Sequence, residues 1–314
     1  MYLTKIYTRL EKYLKKMPIW FNILLVLAIL FVIISIYKKN QPLKEGFIDQ
    51  KEKFVEKTGL DLYDDFYVNI YDQLFYTELA NQYEVGSIQN ITKPTSESNI
   101  LIIGSGTGKT ANTFEKEGIK VTGLDESSAM VKYAKEAYPK INFIVGDPLK
   151  SMTVQSSQYT DIICLNMEIY KYKDKTTFIQ NVYNWLRPGG YFTLHLVDKT
   201  RFDPVVPAGK PFVLVNPQSF AEKRITTSSV IFNNFKYKSD FQVFPNDVVQ
   251  FKEIFKDTTP GTNKVRENIH KMWMPSKESI INQCKEVGFI SHAQVDLRTA
   301  YKEYQYLYIF QKPE

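Results

Sequence analysis

Cysteine and histidine are scarce in this chain of 314 residues, with two of the first and three of the second. Cys164 and Cys284 cannot build a disulfide framework, and both fall in apolar stretches, so packing rather than nucleophilic chemistry is expected of them. His195, His270 and His292 are scattered and offer no metal-ligand spacing. Arginine is rare as well, six residues against 34 lysines. A surplus of positive charge is missing from most of the chain. Residues 1–60 hold 11 basic and five acidic side chains, whereas 61–314 hold 29 of each sign, so the net charge of +6 resides in the first segment. A nucleic-acid enzyme carries a basic face on its catalytic domain, so that class is disfavoured. The localised excess can instead meet anionic lipid headgroups.

One long apolar run is present. Pro18 to Tyr37 is 20 residues without a charge. At about 1.5 Å per residue, a helix of that length crosses a hydrocarbon core of roughly 30 Å. Trp20 and Tyr37 stand near its ends, where amphipathic rings favour the interface. No small-x-small cleavage site follows, so a single-pass anchor is expected rather than a signal peptide. Five basic residues precede the run and five follow it by Lys53, which leaves its orientation open under the positive-inside rule. The expected organisation is a basic tail (1–17), a transmembrane helix (18–37), a charged tether (38–60) and a catalytic domain (61–314).

The chemistry is carried by Ile100-Leu-Ile-Ile-Gly-Ser-Gly-Thr-Gly-Lys109. Four apolar residues suit a parallel strand buried on both faces. Gly104, Gly106 and Gly108 then clear side chains from a turn that a ligand can approach. Gly108 to Glu117 reads as a helix capped by Gly118, and Val121 to Asp125 reads as a second strand. Asp125 follows Gly104 by 21 residues, the separation of a carboxylate that accepts hydrogen bonds from ribose hydroxyls. Two familiar loops are missing. A phosphate-binding P-loop needs glycine where Ile103 stands, and the dinucleotide fingerprint needs its third glycine where Lys109 stands. A nucleotidase is disfavoured strongly, and a dehydrogenase less so.

The Gly-x-Gly-x-Gly spacing resembles motif I of the class I S-adenosylmethionine-dependent methyltransferases with a type 11/25-like domain. Three further segments resemble later strands of that family in the right order: Ile141 to Pro148, Asp161 to Glu168, and Leu186 to Val197. The resemblance covers residues 99–198. It implies an α/β, Rossmann-like seven-stranded sheet and S-adenosylmethionine as cofactor. It also implies that Gly104, Ser105, Gly106 and Gly108 admit the cofactor and that Asp125 holds the ribose. Asp147 would meet the adenine amine, Pro148 would line the ring, and Asn166 would stand beside the transferred methyl. Glu168, at the end of the fourth strand, is a candidate to accept a proton or to order a substrate amine. The aromatic-rich stretch Asp61 to Gln82 reads as a helix, and its Tyr71-Asp72 pair resembles the family's helix that closes over the methionine end. Tyr71 is therefore the second catalytic candidate.

One departure stands out: the family carries an acidic residue where this chain has Ile102. That change supports an alternative reading, a tethered binding module without turnover, which the retained Asp125 and Asp147 oppose. Asn166-Met167-Glu168-Ile169 lacks the Asn-Pro-Pro-Tyr pattern of amino-group nucleic-acid and protein methyltransferases. A small-molecule or lipid acceptor is expected, with the domain on the cytosolic side, where the cofactor is made.

Elsewhere, Ser87 to Ser98 reads as a loop. Residues 199–276 read as an antiparallel insertion over the active-site edge, with a hairpin turning at Pro245-Asn246-Asp247 and a third strand over Lys264 to Met274. A helix over Lys277 to Gly288 and strands over Ile290 to Val295 and Glu303 to Gln311 close the domain.

Overall fold

The computed structural model describes residues 17–40, 47, 50–210 and 217–314. Two compact units divide the chain, residues 1–44 and 45–314. In the first, helix α1 (Ile19–Asn40) holds most of the charge-free run. Ile19, Trp20, Leu24, Leu27 and Phe31 each expose more than half of their surface. Among the described residues no helix is long and apolar enough to cross a membrane; side chains of the run's second half, from Val32, lie outside that description. The expected basic tail, apart from Met17, also lies outside the described residues.

In the second unit the chain passes through β1 (Phe54–Thr58), α2 (Asp65–Phe75) and α3 (Glu78–Thr92) before the first motif strand. Two expectations are corrected here. The tether ends in a strand, because Phe54–Thr58 finds a sheet edge to pair with. The loop expected from Ser87 begins only after Thr92, because Val85 and Ile88 continue a buried helical face; Lys93, left-handed at φ 49°, then ends the helix before Pro94.

The core alternates β2 (Asn99–Ile103), α4 (Lys109–Glu115), β3 (Lys120–Asp125), α5 (Ser128–Ala137), β4 (Asn142–Val145), β5 (Tyr159–Cys164), α6 (Lys175–Trp185) and β6 (Leu186–Val197). Every residue of β2 is buried, as a strand covered on both faces requires. After an insertion come α7 (Lys277–Val287), β11 (Ile290–Asp296) and β12 (Gln305–Gln311). The sheet runs β11-β12-β6-β5-β2-β3-β4, with β12 antiparallel to β6 and β2 to β6 mutually parallel. The strand order reverses at β2, so the glycine loop after it opens at the switch point where ligands bind in such sheets.

The insertion forms β7 (Thr227–Ile231), β8 (Phe235–Val243), β9 (Val248–Asp257) and β10 (Val265–Trp273), all antiparallel. β1 joins this sheet's far edge parallel to β10, giving the order β1-β10-β9-β8-β7. The turn between β8 and β9 uses left-handed Asn246 and Asp247, a backbone that these two side chains tolerate. Side chains alternate across strands. One face therefore collects Tyr237, Phe255 and Arg266 in one row, Ser239, Glu253 and Asn268 in the next, and Phe241, Phe251 and His270 in the third. α2 packs against this face through Tyr67, Val68, Ile70 and Leu74, all buried. Arg266 ties the two together: it donates to both oxygens of Asp64 at 2.9 and 2.7 Å and to Leu62 O at 2.9 Å.

Candidate active site

The glycine loop folds back on β3. The amides of Gly104 and Ser105 donate to Leu124 O at 2.9 and 3.0 Å. The Gly106 amide reaches Asp125 Oδ2 at 2.8 Å, and the Ser127 amide reaches Oδ1 at 2.9 Å. Asp125 is thus fixed at the end of β3. Burial raises its pKa, Lys171 pulls it down, and Glu168 raises it again, with a net upward direction. Gly104 is left-handed at φ 68°, and a Cβ there would lie 2.7 Å from Glu168 Oε2. Only glycine leaves room for that carboxylate.

Glu168 is buried, and it is held by Lys171 Nζ at 2.7 Å and by the Tyr172 hydroxyl at 2.8 Å. Lys171 Nζ also lies 4.6 Å from the centre of the Tyr63 ring. Burial lowers the ammonium's pKa, but Glu168, Tyr63 and Asp125 outweigh it, so the pKa stands well above the ordinary lysine value. Lys171 is a charged group that reading the sequence missed. It sits one helical turn past Glu168 in a 3-10 segment, and the spacing of three was the available signal.

A cavity of about 250 Å³ opens beside the loop. Its lining brings together Gly104, Ser105, Gly106, Asn166 and Tyr71 from the expected set. The Ser105 hydroxyl is buried with no hydrogen-bond partner among the described residues. Asp125 and Glu168 stand behind the loop, on Gly106 and Gly104. Gly108 has a packing role: a Cβ there would lie 2.8 Å from the Phe143 ring and 2.9 Å from Tyr138. Asp147 and Pro148 do not line this cavity. Asp147 follows β4 and accepts from the Leu149 amide at 2.8 Å, and Pro148 O accepts from Asn181 at 2.9 Å.

Tyr71 projects from α2, and its phenol pKa is raised first by burial, so the group is a donor and stays protonated. Its neighbour Asp72 accepts from the Thr107 hydroxyl at 2.6 Å, which ties α2 to the glycine loop. Asn166 and Met167 are both left-handed, at φ 51° and 61°. The Met167 amide donates to His195 Nδ1 at 3.2 Å, and burial lowers the His195 pKa to about 3. His195, His270 and Glu253 were not foreseen as site residues. The last two meet through the pairing of β9 with β10, which no local sequence signal announces. Cys164 and Cys284 are buried with raised pKa values, in line with packing roles. Among the described residues no group of three or more His, Cys, Asp or Glu side chains could hold a metal ion.

Residues 100–190 match a family model described as a methyltransferase domain. This core resembles a methyltransferase domain over those residues. Its architecture is shared with an S-adenosylmethionine-dependent methyltransferase from Clostridium acetobutylicum, at TM-score 0.61 and 15% identity over 79% of this chain and 98% of that one. CalS10 from Micromonospora echinaspora, an amino pentose methyltransferase solved with S-adenosylmethionine bound, matches at TM-score 0.53 and 18% identity over 74% and 91% of the two chains. Protein 235L of Invertebrate iridescent virus 6, provisionally named a methyltransferase, is 44% identical over 55 residues, 17% of this chain. The chain spans only 20% of that relative's length. The residues of this core fit the cofactor, since the glycine loop and Lys171 line the cavity and Asp125 is fixed on the Gly106 amide at the end of β3.

Proposed function

We propose that the chain is a membrane-anchored enzyme that transfers a methyl group from S-adenosylmethionine to a small-molecule acceptor, membrane lipids included. The observation that carries this reading is the cavity that Gly104, Gly106 and Asn166 share with the inward face of the second sheet. When bound, S-adenosylmethionine supplies a methyl on a sulfonium, so transfer is an in-line displacement. Orientation of this kind can supply about 7–11 kcal/mol.

Asp125 is assigned to the ribose hydroxyls as a charge-assisted acceptor, and Asp147 and Pro148 to the adenine side. Glu168 and Lys171, 2.7 Å apart beside Gly104, present one charge of each sign to the amino-acid end. In this assignment Glu168 replaces the carboxylate lost at Ile102, which is buried apolar core. Anchoring the cofactor then takes precedence over the proton-accepting role considered for Glu168, and Tyr71 donates from α2. The binding-module alternative loses its main support once a second carboxylate occupies that place.

The acceptor class draws support from the amino pentose substrate of CalS10 and from the balanced charge of residues 61–314. The anchor rests on the charge-free run, whose described side chains are apolar apart from Asn22. With the domain facing the cytosol, the tether concentrates it near membrane-borne acceptors.

Calorimetry with S-adenosylmethionine on the full chain in detergent tests the reading. Saturable binding is expected, with at least a tenfold loss in Asp125→Ala. A folded chain that binds neither S-adenosylmethionine nor S-adenosylhomocysteine would sink it.

A further inference from the structure

The second sheet buries a carboxylate that cofactor binding does not use. Glu253 on β9 has no exposed surface, and a buried carboxylate is costly unless it is paired and hydrogen-bonded. Its Oε1 accepts from the Tyr237 hydroxyl at 2.9 Å, and Asn268 stands at 3.5 Å from Oε2. The partner of Oε2 is His270 on β10, whose Nε2 lies 2.7 Å away. With its Nε2 hydrogen turned to Glu253, the neutral ring carries its free lone pair on Nδ1. No partner for Nδ1 is present among the described residues, and His270 lines the same cavity as Gly104, Gly106 and Tyr71.

The groups around this imidazole are few. Tyr67 Oη from α2 lies 3.3 Å from Nε2, the Tyr63 ring centre is at 6.0 Å and the Phe251 ring centre at 5.6 Å. Glu253 is the charged group in direct contact, and Lys171, 4.6 Å from the centre of the Tyr63 ring, lines the same cavity. His195 also lines the cavity but is unsuited to take a proton, since its Nδ1 already accepts from Met167 and burial holds it neutral.

We propose that His270 is the general base of methyl transfer, positioned by Glu253, and that the acceptor presents an amine or hydroxyl to it. This rests on the methyl-transfer reading above. The acceptor's N–H or O–H proton passes to His270 Nδ1 as the new N–CH₃ or O–CH₃ bond forms. The CH₃–S bond breaks with its electron pair left on sulfur, and the imidazolium faces the Glu253 carboxylate until water removes the proton. Tyr67, Tyr71, Phe241, Phe251 and Met272 wall the cavity, which suits an acceptor with a ring or other apolar body.

Three histidines make the test direct. Long-range ¹H–¹⁵N correlation spectra of the labelled full chain, assigned with His270→Gln and His292→Gln, report each ring's tautomer. For His270 the Nε2–H form is expected, and Glu253→Gln should release it to a mixture with Nδ1–H. An Nδ1–H tautomer in the unaltered chain overturns the proposal. Transfer of tritiated methyl to a panel of amino sugars and phenols gives the second readout. His270→Gln is expected to lower kcat by about 10²–10⁴ while the affinity for S-adenosylmethionine holds within twofold. Glu253→Gln should lower kcat less and move the pH–rate profile. Unchanged turnover in His270→Gln overturns the proposal, and if no panel member accepts methyl the tautomer decides alone. Loss of cofactor binding in the unaltered chain would instead strike the methyl-transfer reading, leaving the tautomer result readable.

Discussion

The two sheets of the 45–314 unit offer a ligand different things. The seven-stranded sheet offers main chain: a glycine loop folded onto Leu124 O and Asp125, room at Gly104 that Glu168 fills, and a carboxylate braced by main-chain N–H groups. The five-stranded sheet offers side chains: an imidazole, a buried carboxylate, a tyrosine and phenylalanines on one inward face. Main-chain recognition fails when a residue at the turn acquires bulk, because the turn itself must move. Side-chain recognition can be altered residue by residue while the ladder of backbone hydrogen bonds persists. On the proposed reading, cofactor binding and acceptor choice should be separable by mutation, with α2 as the joint between them.

The sharpest way to break that separation is at the joint. Arg266→Ala removes the bidentate contact to Asp64 and leaves the Leu62 carbonyl and Asn268 without their donor. A loss of about 3–5 kcal/mol is expected in urea unfolding; a loss under about 1 kcal/mol would mean that aromatic packing alone holds α2 to the second sheet. A pH series sharpens the contrast between the two histidines. His195 has a folded pKa of about 3, below its unfolded value of 6.5, so the unfolded chain binds the extra proton in that window. Its contribution is full above pH 6.5 and is lost as pH falls towards 3, at up to about 1.4 kcal/mol per pH unit. His195→Gln should flatten this slope in urea midpoints taken between pH 4 and 7, and an unchanged slope would contradict the assignment. The smallest stability effect is at the loop. Gly104→Ala forces a side chain into a left-handed position, at about 1–2 kcal/mol, and crowds Glu168. Calorimetry should show cofactor affinity falling at least tenfold, out of proportion to the stability lost.

The same contrast explains what could be read from the chain alone. Gly104 follows β2 and Asp125 ends β3, 21 residues on, so local spacing was enough to bring this pair to notice. Asn246 and Asp247 marked the β8–β9 turn for the same reason, since turn chemistry is local. The acceptor side is assembled by register. Glu253 and His270 meet only because β9 and β10 pair with Phe251 opposite His270. Nothing in Phe251-Lys-Glu-Ile-Phe255 distinguishes an inward glutamate from a solvated one until that pairing is known. Phe54-Val-Glu-Lys-Thr58 was passed over as tether because an edge strand needs little apolar content, and its partner lies far along the chain. Glu168 was legible as a carboxylate at the right strand end. Its contact with Gly104, and the Lys171 ammonium beside it, depended on a 3-10 turn that composition does not announce.

The pairing of β1 with β10 sets a timetable for synthesis. Phe54 lies opposite Val265, 211 positions later, so the first strand emerges long before its neighbour exists. At roughly 5–20 residues per second, a ribosome leaves that segment waiting for about 10–40 s. Through that interval the aromatic face of α2 also lacks its cover, since Phe255 and His270 have yet to be made. Nascent chains of this protein should therefore depend on a holding chaperone until translation passes Trp273, with release following within the next few dozen residues.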